Sequence, residues 1–240
     1  MFKGLMELVL PRIIGVMVHK REKLTKKEQA AQDAFMAKLY IKKRKTDKPV
    51  IVAVIGLVGS GKSSVAEELA ERIGATVIEG DDIRIELRKK GAGYGRAWAI
   101  SENVAVEVVK QGGNVILDSD FVDGKKRASI RQKARKAGVH LVFVRTYCDF
   151  DVMSQRIREN DPGEFFNLAS TRSTANDRGK DVKFREMDRR KPYHYRWINQ
   201  GEGKWVLKKF PFAVFAEIDT TNPDSWKREV EKCAEKLLGS

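Results

Sequence analysis

Val50-Ile51-Val52-Ala53-Val54-Ile55-Gly56-Leu57-Val58-Gly59-Ser60-Gly61-Lys62-Ser63 decides the fold. The first six residues form an unbroken apolar run of the length and β-branched character of a strand buried on both faces. The next eight fit G-x-x-x-x-G-K-[ST] at every fixed position, and helical patterning follows, with Val65, Leu69 and Ile73 recurring every four residues. A buried parallel strand therefore delivers the chain to a tight turn whose backbone N–H groups face phosphates at a helix N-terminus. Gly56, Gly59 and Gly61 permit backbone conformations and a close approach that a Cβ hinders. Ser60 and Ser64 complete the cradle, Lys62 is placed for the β- and γ-phosphates, and the Ser63 hydroxyl for Mg²⁺. The expected ligands are ATP and Mg²⁺.

From Pro49 onward strand and helix signals alternate, which implies an α/β domain with a mostly parallel five-stranded sheet. The strands are expected at 50–55, 76–79, 115–117, 141–146 and 214–219. Helices are expected at 62–73, 82–90, 97–111, 124–137, 149–159 and 224–238, with Gly74, Gly112 and Gly138 where helix C-terminal glycines belong. Between about Asn160 and Lys191 the alternation fails and arginines accumulate: Arg172, Arg178, Arg185, Arg189 and Arg190. A long polar insertion in a compact domain is functional or disordered.

The 240 residues suffice for one well-buried domain plus an extension, and 42% hydrophobic with 33% charged is globular composition. Cys148 and Cys233 stand far apart, in no metal-ligand spacing, and read as reduced thiols of a cytoplasmic protein. Of the net charge of +14, residues 1–48 supply +8, with thirteen Lys/Arg against five Asp/Glu. This divides the chain into a basic helical extension and linker, 1–48, and a domain over 49–240. The apolar first eighteen residues are too short, and too interrupted by Glu7, Pro11 and Arg12, to span a membrane. Docking on the protein's own surface and contact with a membrane surface or partner protein both stay open for this segment. Residues 22–41 are patterned as a helix, and 42–48 as a charged linker.

Two strand ends carry carboxylates, and in a parallel sheet ligands sit beyond the carboxyl ends of the strands. After the second strand comes Glu79-Gly80-Asp81-Asp82-Ile83-Arg84. Asp81 can accept a proton from an attacking hydroxyl, and Arg84 can hold an acceptor's anionic group or the transferring phosphate. The same residues also suit an ordinary acidic helix N-terminus. After the third strand comes Asp118-Ser119-Asp120, in which Asp118 has the Walker B placement for Mg²⁺ and Asp120 can approach the acceptor.

The loop, Gly-Asp-Asp-x-Arg, and Val-Ile-Leu-Asp-Ser-Asp followed by a Lys/Arg-rich helix together resemble the small P-loop kinases. The match is to the polynucleotide kinase-like, zeta toxin or AAA_33 branch, with adenylylsulfate and gluconate kinases as cousins. It covers roughly residues 50–240 and implies a P-loop three-layer sandwich with an arginine-bearing lid, here about 156–190. By position it makes Asp81 the general base, Arg84 an acceptor or phosphate contact and Asp118 a site carboxylate. Arg156 resembles the start of the lid and Arg178 its second arginine segment, with Arg172 as the alternative. Residues 215–222 resemble the last strand and the loop that passes near the adenine.

These features imply a kinase that moves a γ-phosphate to a hydroxyl, with a polynucleotide 5′-hydroxyl as the first acceptor and a metabolite, nucleoside or nucleotide-sugar hydroxyl as the alternative. The polynucleotide reading leans on Asp81-Asp82-Ile83-Arg84 and on residues 124–137, where Arg127, Arg131 and Arg135 repeat every four residues as a stripe able to track a nucleic-acid backbone. A solvated helix face gives the same pattern. Tyr193-His194-Tyr195-Arg196-Trp197 can stack on a base or pack the helix after the lid, and 91–96 reads as a flexible loop near the acceptor. A nucleotide-driven switch tethered through residues 1–48 is the rival from another class.

Overall fold

The apolar run forms β1 (Val50–Ile55), buried at all six positions because parallel strands flank both its edges and helices cover both faces of the sheet. The computed structural model describes residues 23–159, 179–199 and 201–239. The strands after β1 are β2 (Ala75–Glu79), β3 (Asn114–Asp118), β4 (His140–Tyr147), a separate antiparallel pair β5 (Tyr195–Ile198) and β6 (Lys204–Leu207), and β7 (Ala216–Asp219). The main sheet runs β2-β3-β1-β4-β7, parallel throughout. The helices are α1 (Lys26–Met36), α2 (Lys62–Ile73), α3 (Gly80–Lys89), α4 (Ala97–Lys110), α5 (Gly124–Ala137), α6 (Phe150–Glu159), α7 (Gly179–His194) and α8 (Trp226–Leu238).

Alternation along β1 builds the three layers. Ile51, Ala53 and Ile55 point into one core with Phe35 of α1, Leu87 of α3, Val104 of α4 and Ile130 of α5. Val50, Val52 and Val54 point into the other with Val65, Leu69 and Ile73 of α2 and Val230 and Leu237 of α8. A third, smaller cluster sets Leu57 of the phosphate loop against Met153 and Ile157 of α6, Met187 of α7 and Tyr195 of β5. That cluster seats α6 and α7 beside the loop. The β5–β6 pair, with Trp197 facing Trp205, escaped the sequence reading, since four-residue strands flanking a turn carry little periodic signal. Tyr195 accordingly packs and donates its hydroxyl to Cys148 O at 2.9 Å.

The N-terminal helix is shorter than the 22–41 pattern. A reciprocal capping box between Thr25 and Glu28 starts it, and it ends at Met36. Beyond it the chain lies along the edge of β2. Lys42 N–H donates to Thr76 Oγ1 at 3.0 Å, and Leu39 and Ile41 pack on the first core, which covers a strand edge. Gly74, with φ +64°, lies under this strap: a Cβ there would come within 2.2 Å of Lys43 O. Asn114, fully buried, joins strap to sheet. Its Oδ1 accepts from Thr46 Oγ1 at 2.9 Å and Val50 N–H at 3.0 Å, and its Nδ2 donates to Ile73 O at 2.8 Å.

Asn114→Ala leaves the buried Val50 N–H without this partner, a loss that costs about 1–3 kcal/mol, while Ile73 O keeps the Lys45 N–H at 3.0 Å. Urea unfolding is expected to show the variant destabilised by about 1–3 kcal/mol. A midpoint and slope equal to wild type would exclude Asn114 as the anchor.

Candidate active site

The phosphate loop leaves β1 where β3 and β4 flank it, so the carboxyl ends of all three strands open into one crevice. Gly59 and Gly61 hold φ of +82° and +76°, a region that side chains with a Cβ avoid. Gly56 is required for space: a Cβ would lie 2.2 Å from Thr146 Oγ1 and 2.4 Å from Ser60 Oγ. The loop is fastened from outside. Ser60 Oγ and Thr146 Oγ1 share a hydrogen bond of 2.8 Å, and Thr220 Oγ1, after β7, donates to Ser60 O at 3.1 Å. Lys62 Nζ folds back to Leu57 O at 3.0 Å, and Ser64 lies on the exposed side of the first turn of α2. Arg156 of α6 reaches the same knot, donating to Thr220 Oγ1 at 3.0 Å, to Thr220 O and to Gly59 O.

On the β3 side Ser63 donates its hydroxyl to Asp118 Oδ2 at 2.6 Å. Glu79 is the register partner of Asp118 across β2 and β3, a neighbour that reading along the sequence could not supply. Burial, and then the charges of Asp82, Asp118 and Asp81, push the Glu79 carboxyl up to about 7. The Ser63 and Asp118 oxygens are hard donors. They suit Mg²⁺, an ion that takes one or two protein ligands and fills its octahedron with water and phosphate.

Across the crevice α3 springs directly from β2, two residues earlier than its apolar pattern suggests. Its first turn carries Asp81, hydrogen-bonded to Arg84 Nη1 one turn on. Asp120 does not lie free toward an acceptor. Its carboxylate is buried, accepting from Arg190 Nη1 at 2.7 Å, His194 Nε2 at 3.2 Å and Val122 N–H at 3.1 Å. Burial alone would raise it, but the His194 hydrogen bond and the charges of His194, Arg190 and Lys62 outweigh that and hold it well below the usual carboxylate range. Lys126 of α5 completes this wall, with Nζ 3.5 Å from Asp120 O.

These residues line one cavity of about 470 Å³. Gly56, Gly59, Gly61, Lys62, Ser63, Ser64 and Arg156 form one side, and Asp81, Arg84, Asp120, Lys126 and Arg190 the other. Glu79 and Asp118 lie between, and Thr220 and Trp226 close the end near α8. Arg172 and Arg178 fall outside the described residues. Of the lid arginines singled out by position only Arg156 is in view, whereas Arg190 was read merely as part of an arginine-rich stretch.

The basic stripe on α5 corrects an expectation. Arg127 donates to Phe121 O at 2.9 Å and lies 3.9 Å from the centroid of Phe212, and Arg131 stacks 4.9 Å from Phe143. Lys133 pairs with buried Glu102 at 2.9 Å. Two of the three stripe arginines thus serve the core, because a long cationic side chain can cover an aromatic face while its head meets carbonyls.

Residues 51–167 match the AAA_33 family, described as an AAA domain. An uncharacterised protein of Mycobacterium tuberculosis (strain H37Rv) is 32% identical over 148 residues, 55% of this chain and 30% of that one. Thermoresistant gluconokinase of Escherichia coli (strain K12) is 28% identical over 124 residues, 48% of this chain and 69% of that one. The chain thus spans less than a third of the length of its mycobacterial relatives. Among solved structures, Mycobacterium tuberculosis APS kinase in complex with AMPPNP and APS aligns at a TM-score of 0.51 and 19% identity, over 80% of this chain and 99% of that one. A kinase described as putative, from Chloroflexus aurantiacus, aligns at 0.53 and 17%, over 80% and 100%. At these identities the likeness is one of fold. The α/β sandwich is the fold these P-loop kinase structures share, and residues 51–167 are the part of the chain that matches the AAA_33 model.

Proposed function

We propose that the chain is an ATP- and Mg²⁺-dependent kinase that transfers a γ-phosphate to a hydroxyl of a small molecule. The observation that carries this reading is the single cavity in which the phosphate loop faces Asp81, Arg84, Lys126 and Arg190. Its volume, about 470 Å³, lies in the range of small-molecule sites. The polynucleotide 5′-hydroxyl loses one of its two supports, since Arg127 and Arg131 are engaged with Phe212 and Phe143. The gluconokinase relative and the APS kinase fold neighbour also lean toward a small acceptor.

In this reading the loop N–H groups and Lys62 hold the β- and γ-phosphates in line with the acceptor. Ser63 and Asp118 hold Mg²⁺, which when bound supplies charge neutralisation at the phosphate oxygens. Asp81, set by its pair with Arg84, orients the acceptor hydroxyl and takes its proton. Arg156, by gripping Thr220 and Gly59 O, keeps the loop in its phosphate-binding shape. Arg172 and Arg178 remain the proposed γ-phosphate contacts of the lid.

Acceptor-dependent ADP release across a panel of hydroxyl compounds tests the activity, with oligonucleotides as the comparison arm. Stimulation by oligonucleotides alone would reverse the choice of acceptor. Asp81→Asn is expected to lower kcat about 100-fold or more with ATP affinity unchanged within a few-fold. A rate within a few-fold of wild type would remove Asp81 as the base.

For the metal, Asp118→Asn is expected to raise the Mg²⁺ concentration for half-maximal activity about tenfold or more, as loss of a charged ligand does. An unchanged Mg²⁺ titration would place the ion elsewhere.

A further inference from the structure

Arg84, Lys126 and Arg190, three of the cations that line the cavity, meet on the proposed acceptor wall, and two of them are answered. Arg84 pairs with Asp81, and Arg190 pairs with Asp120 at 2.7 Å and Glu186 at 3.2 Å. Lys126 is different. Among the described residues no carboxylate lies within ion-pair distance of its Nζ, which reaches only the backbone carbonyl of Asp120 at 3.5 Å. The Asp120 carboxylate nearest to it is already shared between Arg190 and His194. Lys126 is half-buried, and it opens into the cavity alongside Arg84 and Arg190.

A half-buried ammonium beside two guanidinium groups is costly unless an anion joins it. Its surroundings agree: burial first, then the charge of Arg190, with Arg84 adding, press the Lys126 ammonium below its ordinary range. Asp120 and Asp123 pull the other way without cancelling this. An oxyanion set between a lysine and arginines gains charge-assisted hydrogen bonds and relieves the repulsion.

We propose that the acceptor carries, besides its hydroxyl, an oxyanionic group, and that Lys126, flanked by Arg84 and Arg190, binds that group and determines specificity for it. This rests on the kinase reading of the same cavity. Carboxylate, sulfate ester and phosphate ester share the required chemistry. A neutral alcohol of the same shape leaves Lys126 buried beside like charges, so it is rejected in the way a polar site rejects an analogue lacking the matching group.

The test uses the full chain in two arms. In the first, ADP release is measured with sets of acceptors sharing one polyol skeleton: the neutral parent, its carboxylic acid, its sulfate ester and its phosphate ester. At least one anionic member is expected to exceed its neutral parent about 100-fold in kcat/KM, and comparison of the three shows which oxyanion fits. Lys126→Met should erase most of that preference through KM for the acceptor, with KM for ATP within a few-fold. Lys126→Arg should retain most of it. Neutral parents turned over as well as the anions, or a preference that survives Lys126→Met, overturns the proposal while leaving the kinase reading intact.

The second arm needs no turnover. Protein saturated with Mg²⁺ and AMPPNP, so that the phosphate loop is filled, is titrated with inorganic sulfate by calorimetry. Saturable binding in the wild type, weakened about tenfold or more in Lys126→Met and Lys126→Gln, is expected. Retained AMPPNP binding certifies that the variants are folded. Absent sulfate binding, or equal binding in all three proteins, overturns the proposal. Sulfate binding that depends on Lys126, with no ADP release for any acceptor, would instead sink the kinase reading.

Discussion

A buried carboxylate has to be paired, and in this protein that requirement shapes the wall that faces the phosphate loop. Asp120 emerges from β3 into the interior, where an isolated negative charge would be strongly destabilising. Arg190 and His194, one turn apart on α7, supply the pairing, which brings the C-terminal half of that helix over the end of the sheet. Arg145, itself fully buried on β4, secures the arrangement from below. It donates to His194 O at 3.3 Å, to Lys208 O at 2.7 Å and to Glu217 at 3.0 Å, with Phe210 stacked on its guanidinium. Breaking one member of such a set leaves another charge stranded, so the wall holds together as a unit.

The two sides of the crevice are therefore built differently. The phosphate loop is shaped by local backbone demands at Gly56, Gly59 and Gly61 and by contacts with Thr146 and Thr220. The opposite side draws Asp81 and Arg84 from α3, Lys126 from α5 and Arg190 from α7, three helices far apart in the chain.

That difference explains what was legible in the sequence. The strands, the helices about them and the loop residues rest on periodicity and short-range spacing, so β1, α2 and α5 lie where their patterns put them. Asp81, Asp118 and the Ser63 hydroxyl were visible because strand ends and loop positions announce themselves. Glu79 was not, because its proximity to Asp118 is a matter of register between β2 and β3. Lys126 was hidden inside a run of basic residues whose members have opposite fates. Arg127 and Arg131 cover aromatic rings, Lys133 neutralises Glu102, and Lys126 alone among these four opens into the cavity. The β5–β6 pair and the engagement of His194 likewise depend on tertiary partners that no local pattern encodes.

The strap over residues 37–48 has a thermodynamic consequence for the protein as a whole. Lys38 reaches the buried Glu86 of α3 at 2.8 Å, on the helix whose first turn bears Asp81 and Arg84. Arg44 and Thr46, by contrast, bind Gly112 O and Asn114 at the far, amino end of β3. The strap thus touches α3 directly, and it meets α2 only at that helix's carboxyl end, where Lys45 N–H donates to Ile73 O at 3.0 Å and Lys45 Nζ to Glu71 O at 2.7 Å, a helix length away from the phosphate loop. By linkage, any ligand that favours or displaces the Lys38 contact is coupled first to α3 and to whatever that helix binds, and the two change each other's affinity by the same factor.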